Sequence, residues 1–254
     1  MSDRTTLVCL PFAGAGASFY RPWQRQAEPL GLDVLPLQLP GRERRIDEEP
    51  YRDATVAAGA LHAELLAALG GPGEGRGAHR VALFGHSLGA VLAYELARRL
   101  VATPGVRLVG LFASGSPHPA EPRSRQATGL DDDAFLARVN EFAGYTHEAL
   151  QDPEMRELIL PTLRADVEMH ESYRPADETA LPVPVTALRG SADTLVTRDE
   201  LAAWARTTDV AFRAVELDGG HMYLTESAPE LLRIVAEHLS PNPIPSRVAE
   251  ELCV

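Results

Sequence analysis

Short runs rich in valine, leucine and alanine recur along the chain, alternating with stretches whose apolar positions repeat at helical spacing. Thr6 to Leu10, Asp33 to Leu39, Arg80 to Gly85, Val106 to Ala113, Val183 to Arg189 and Phe212 to Leu217 read as strands. Ser18 to Ala27, Thr55 to Leu69, Gly89 to Leu100, Arg198 to Ala205 and Pro229 to Leu239 read as helices, the second of them stopped by Gly70 and Gly71. Such alternation is expected of a mostly parallel sheet wrapped by helices. Arg80 to Gly85 is the candidate central strand. Pro36 cannot donate to a ladder, so the second strand is expected at an edge or to be irregular.

The alternation breaks after the fourth strand. From about Pro117 to Tyr173 the chain is charged and helix-forming, with Asp131 to Asn140 and Pro153 to Tyr173 as helices. This reads as an insertion lying over the sheet. The expected organisation is a core in two parts, 1–116 and 181–254, with a helical insertion over 117–180 between them. Gly70 to Gly77 carries five glycines and a proline but no Gly-Lys-Ser/Thr, so it reads as a surface connection and not a phosphate loop. The tail from Ser240 reads as a surface strap.

Composition narrows the function classes. With 254 residues, 45% of them hydrophobic and 24% charged, the chain can bury an ordinary core. A formal net charge of −12 argues against nucleic acid, which needs a positive field. The two cysteines, Cys9 and Cys253, form no disulfide or zinc pattern, and Cys9 reads as a buried thiol. No apolar run reaches the roughly 18 residues that span a bilayer, and the first residues lack a signal-peptide layout. No membrane partner and cytoplasmic residence are therefore expected.

Chemistry enters at Gly85-His86-Ser87-Leu88-Gly89, a Gly-x-Ser-x-Gly pattern set between the run Val81 to Phe84 and the helical Ala90 to Glu95. A serine on a sharp strand-to-helix turn is exposed above the sheet, and the helix N-terminus beneath it favours developing negative charge. Ser87 is the candidate nucleophile of a serine hydrolase with the α/β-hydrolase fold. A serine hydroxyl needs a histidine to take its proton. In this fold the base follows the last strand, which selects His221 in Asp218-Gly219-Gly220-His221. His238 reads as a surface residue of the last helix, His86 as packing or supporting the elbow, and His62 and His79 as surface positions. Asp193, in the turn after Val183 to Arg189, completes the order Ser, Asp, His. Asp218, only two glycines from His221, reads as a turn-former.

Acyl transfer also needs two donors aimed at the oxygen that becomes negative. The N–H of Leu88 directly follows the nucleophile. The second is expected from Pro11-Phe12-Ala13-Gly14-Ala15-Gly16, with Ala13 favoured and Phe12 the alternative. Read as a dinucleotide fingerprint, Gly14 to Phe19 fails at its third glycine position, occupied by Phe19.

Several segments together resemble the type II thioesterases, free-standing editing enzymes of modular polyketide and nonribosomal peptide synthases. These are Leu10-Pro11-Phe12-Ala13-Gly14, Leu39-Pro40-Gly41-Arg42-Glu43, Gly85 to Ala90, Leu160-Pro161-Thr162-Leu163-Arg164-Ala165-Asp166 and Gly219-Gly220-His221. The Pro-Gly-Arg-Glu and Leu-Pro-x-Leu-Arg-Ala-Asp segments are the selective ones, because many hydrolases share the serine motif. Two departures stand out. Phe12 occupies a position where the family often has histidine, and Met222-Tyr223 replace a common phenylalanine pair. Both are expected to alter the acyl pocket. The short N-terminus is expected to leave no room for the first antiparallel strands of the larger fold.

The resemblance implies hydrolysis of acyl groups from the phosphopantetheine arm of an acyl- or peptidyl-carrier protein, through an acyl-Ser87 intermediate and without metal or organic cofactor. It implies a lid role for the insertion. Carrier proteins being acidic, Arg42, Arg44, Arg45, Arg123 and Arg125 are candidates for docking them. Two rivals stay open: a serine esterase or acyltransferase acting on small acyl esters, and a catalytically inactive hydrolase-fold binding module.

Overall fold

The computed structural model describes residues 4–70, 78–121, 126–143 and 152–240. The glycine-rich stretch after Gly70, the tail beyond Ser240, Cys253, Arg123 and Arg125 lie outside them. The sheet order is β2-β1-β3-β4-β5-β6, built from β1 (Thr5–Leu10), β2 (Leu32–Pro36), β3 (His79–His86), β4 (Val106–Ser114), β5 (Val185–Gly190) and β6 (Phe212–Leu217). Every neighbouring pair is parallel. Each connection must therefore cross a face of the sheet, and the helices do this.

Side chains alternate between faces along a strand, so apolar runs bury both faces when helices cover both. Val8, Leu10, Val81, Leu83, Leu111, Ala113, Val185 and Ala187 pack on one side with α2 (Ala54–Ala68), α3 (Leu88–Leu100) and Trp204. Leu7, Cys9, Ala82, Phe84, Phe112 and Leu188 pack on the other, under Tyr20, Trp23 of α1 (Trp23–Ala27) and α7 (Ala228–Leu239). Cys9 is fully buried, and burial pushes its thiol pKa up.

The second strand is at the sheet edge, as Pro36 required, and it ends there rather than at Leu39. Beyond it the buried Gln38 side chain takes over bonding, accepting from Ala17 N–H and donating to Leu39 C=O. The sixth helix, α6 (Arg198–Ala202), is also shorter than expected and continues as a 3-10 segment, Ala203–Thr207. Between β4 and β5 the described residues form α4 (Asp132–Ala143) and α5 (Pro153–Ser172) and no strand. Asp152 caps α5 by accepting from Glu154 and Met155 N–H. Phe135 and Leu136 of α4 meet Leu160, Leu163 and Val167 of α5 in a small core of their own that also touches Ala13. Met169, near the C-terminal end of α5, and Tyr173 just beyond it join the main core, which ties α5 to the sheet body.

Candidate active site

Ser87 lies between β3 and α3 with φ 53° and ψ −117°, a left-handed conformation that costs a non-glycine residue of the order of 1–3 kcal/mol. The surroundings impose it. A Cβ on Gly85 would lie 1.9 Å from Gly89 O, and one on Gly89 would lie 2.5 Å from Leu10 O. Strand, helix and the end of β1 thus meet at backbone contact. The Ser87 N–H donates to Ser114 O at 2.8 Å, and its carbonyl accepts from Ala90 N–H at 3.0 Å. The same contact sets Gly89, in the first turn of α3, against Leu10 and Pro11, where the loop after β1 begins.

Asp193 and His221 are joined by equally close backbone packing. A Cβ on Gly190 would sit 2.1 Å from Gly220 O. Ser191 N–H donates to Leu217 O at 2.7 Å, and Ala192 N–H to Gly219 O at 2.9 Å. The loops after β5 and β6 are stitched together, and the side chains meet across the seam. Asp193 Oδ2 accepts from His221 Nδ1 at 2.9 Å, while Oδ1 accepts from Leu195 and Val196 N–H at 2.8 and 3.2 Å. Burial alone would raise the Asp193 pKa. The hydrogen bond and charge of His221, with the two amides, outweigh it and hold the carboxyl below its ordinary value. A carboxylate on Nδ1 fixes that nitrogen as the donor and leaves Nε2 as the acceptor. Arg189, buried and paired with Glu216, donates to Asp193 O at 2.7 Å and braces the acid's turn.

Ser87 and His221 line one cavity of about 650 Å³, as do Phe12, Ala13 and Met222. Its wall toward α4 and α5 is mostly apolar, including Val139, Ile159 and Leu163. In the loop after β1, Ala15 N–H donates to Phe12 O at 3.0 Å and Gly14 N–H to Asp166 Oδ2 at 2.8 Å. Ala17, Ser18 and Phe19 N–H are bound to Gln38, Glu43 and Gly16. These bonds occupy the amides of Gly14, Ala15, Ala17, Ser18 and Phe19; neither candidate donor, Phe12 or Ala13, is among them.

Residues 5–239 match the family model of the thioesterase domain. The chain belongs to the thioesterase family. Thioesterase PikA5 of Streptomyces venezuelae is 37% identical to it, covering 92% of this chain and 80% of that protein. The gramicidin S biosynthesis protein GrsT of Aneurinibacillus migulanus is 33% identical, covering 92% and 88%. Among solved structures, the type II thioesterase BorB from the borrelidin biosynthetic cluster aligns with a TM-score of 0.78 at 38% identity, covering 94% of each chain. RedJ, a thioesterase of the prodiginine pathway in Streptomyces coelicolor, aligns at 0.82 and 33%, covering 92% and 90%. The architecture of this thioesterase is the α/β-hydrolase fold.

Three expectations about the thioesterase need correction. Arg42 is not a surface docking residue: it is buried and paired with Asp166 at 2.6 Å. Tyr223 does not face the acyl cavity but is buried, with its hydroxyl 2.7 Å from Ser114 Oγ; Phe12 and Met222 do line the cavity. His238 is half-buried, bonded to Thr186 Oγ1 at 3.0 Å and stacked on Phe112. Sequence reasoning also missed a buried chain, His86 Nδ1 to Ser114 Oγ at 2.8 Å and on to Tyr223. Ser114 ends a strand with no motif around it, so nothing marked it.

Proposed function

We propose that this thioesterase hydrolyses acyl thioesters carried on the phosphopantetheine arm of an acyl- or peptidyl-carrier protein, as an editing enzyme of polyketide or nonribosomal peptide synthesis. Ser87 Oγ attacks the thioester carbonyl while His221 Nε2 takes its proton and Asp193 stabilises the resulting imidazolium. The amides of Ala13 and Leu88 receive the tetrahedral oxyanion. The intermediate collapses, the thiol leaves with the proton from His221, and an acyl-Ser87 ester remains. A water deprotonated by His221 then releases the acid. The helical segment within 117–180 serves as a lid, its apolar side forming the acyl chamber. Exposed Arg44, and Arg45 beside it, remain as the basic groups that meet an acidic carrier. The setting is cytoplasmic, where such synthases present their carriers.

The observation that carries this reading is the 2.9 Å bond from Asp193 to His221, opening on the cavity that also holds the strained Ser87. The test is mass spectrometry of acyl groups on a carrier protein before and after adding enzyme. Acyl carrier should convert to free holo-carrier, and Ser87→Ala should stop the loss. A clear preference for oxygen esters over matched thioesters would point instead to an esterase. Failure of folded protein to be labelled at Ser87 by a fluorophosphonate would revive the inactive binding module.

A further inference from the structure

The two most selective sequence segments, Leu39 to Glu43 and Leu160 to Asp166, lie more than a hundred residues apart and supply none of the three reacting side chains. In the fold they meet. Arg42 forks onto Asp166 with Nη1 to Oδ2 and Nη2 to Oδ1 both at 2.6 Å, and both side chains are almost fully buried. Thr162 Oγ1 donates to Gly41 O at 2.9 Å beside the pair. Arg42 Nη1 also donates to Ala15 O at 3.1 Å, and Asp166 Oδ2 accepts from Gly14 N–H at 2.8 Å. One ion pair therefore grips the loop after β1 at two consecutive residues.

The grip falls where it controls the direction of the Ala13 amide. Phe12-Ala13-Gly14-Ala15 is closed by Ala15 N–H on Phe12 C=O, with Gly14 in its third position at φ +78°. That is the pattern of a type II turn, which differs from type I by a flip of its central peptide. The N–H of that central peptide is the one Asp166 accepts, so the carboxylate selects one turn over the other. Either turn closes with the same bond to the Phe12 carbonyl. It is therefore the hold on Gly14 and Ala15 that anchors the planar peptide between Phe12 and Ala13, whose carbonyl accepts from Ala15 N–H. The Ala13 N–H must then point the opposite way. Leu163 of α5 packs nearby: its Cδ1 would lie 3.2 Å from a Cβ on Gly14.

We propose that Arg42 and Asp166 are positioning residues for the oxyanion hole, holding the Ala13 amide on target through α5, so that seating of this helix and a competent hole are one event. The inference rests on the reading of Ala13 as an oxyanion donor. A planar guanidinium on a carboxylate suits this role because two parallel bonds fix angle as well as distance.

Asp166→Asn keeps the side chain's shape and removes the charge that holds Arg42. Because it leaves a buried cation uncompensated, Arg42→Lys is the companion variant, keeping both charges and losing the fork. In folded protein, kcat on an acyl-pantetheine thioester should fall about 10- to 100-fold, somewhat less than the roughly 10²–10³ typical of losing a donor outright. KM should stay within about twofold, as expected when only transition-state binding is lost. Affinity for an acyl trifluoromethyl ketone, whose adduct with Ser87 carries the oxyanion, should fall by the same factor as kcat. A pair that merely supports the fold would move unfolding midpoints without this match. Unchanged kcat and ketone affinity in either folded variant, or a rise in KM alone, overturns the proposal, as does failure of both variants to fold. Fluorophosphonate labelling of wild-type Ser87 separates the two levels. If the wild type is not labelled, the serine hydrolase reading fails first. If it is labelled and the variants behave as wild type, only the clamp is wrong.

Discussion

Replacing Asp193 by asparagine keeps the side chain's shape and tests what its charge does, because the two carboxylate oxygens have different partners. Oδ1 accepts from two backbone amides, Leu195 and Val196, and Oδ2 from His221 Nδ1. An asparagine must leave its carbonyl oxygen toward the two amides, since its NH₂ there would face donors on both. Its NH₂ then falls against His221 Nδ1, which can accept only when unprotonated. The imidazole proton moves to Nε2, and the nitrogen facing the cavity can no longer receive the serine proton. The loss expected for this tautomer error is roughly 10⁴-fold in kcat, about 5.4 kcal/mol of barrier at 1.36 kcal/mol per tenfold. Stability should drop by only about 1–2 kcal/mol, the difference between charged and neutral hydrogen bonds to the same donors. Stopped-flow acylation with a chromogenic acyl ester measures the first quantity and urea unfolding the second. An Asp193→Asn enzyme that folds and acylates within tenfold of wild type would refute the assignment of Asp193 to His221.

Gly190→Ala places a methyl 2.1 Å from Gly220 O and 2.4 Å from Gly219 O, so the loops after β5 and β6 must part. Because a displacement near 1 Å can cost about 10²-fold, kcat/KM should fall by about that factor, measured beside the thermal midpoint. Ile159→Trp narrows the apolar end of the cavity and should raise KM for long acyl chains while leaving acetyl substrates unchanged, read from a chain-length series. His238 has its pKa pushed down to about 4, by burial first and the nearby Arg213 second. The unfolded chain protonates this group near 6.5 and the folded protein near 4. Stability is therefore full above pH 6.5 and is lost as pH falls toward 4, by about 1 kcal/mol once solvent screening of the half-buried ring is allowed for. Urea midpoints at pH 7 and pH 5 should differ less in His238→Gln than in wild type.

The strands, the elbow and the pairing of Asp193 with His221 were legible because each rests on local rules. Continuous apolar runs mark a sheet covered on both faces, and Gly85 and Gly89 are demanded by backbone contacts under 3 Å. Asp193 and His221 could be picked because each closely follows a readable strand. Interactions between distant segments were not legible in this way. Arg42 and His238 looked like surface charge because Arg and His usually are, and only their tertiary partners bury them. Tyr223 looked like a pocket residue because, with Met222, it stands where the resembled family commonly has a phenylalanine pair. The 3-10 turn Tyr223–Thr225 instead buries it, placing its hydroxyl on Ser114. The motif around Asp166 signalled importance without saying for what, since its partner lies 124 residues away.

The chain from His86 through Ser114 to Tyr223 links the elbow of Ser87 to the loop of His221. Ser114 O receives the Ser87 N–H, and Ser114 Oγ bridges His86, one residue before the nucleophile, to Tyr223, two residues after His221. His221 is thus held from the Asp193 side through its ring and from the elbow side through its loop. The His86 ring lies 4.8 Å from that of His221. A second imidazolium there would oppose the positive charge that the proposed base role gives His221. Burial, followed by the neighbouring His221 and His170, holds the His86 pKa far below its ordinary value. A Cβ on Gly115 would lie 2.3 Å from His86 Cε1, so the ring is also pinned from behind. Burial thus favours the neutral form of the elbow histidine, which is tied through Ser114 to the loop that carries His221.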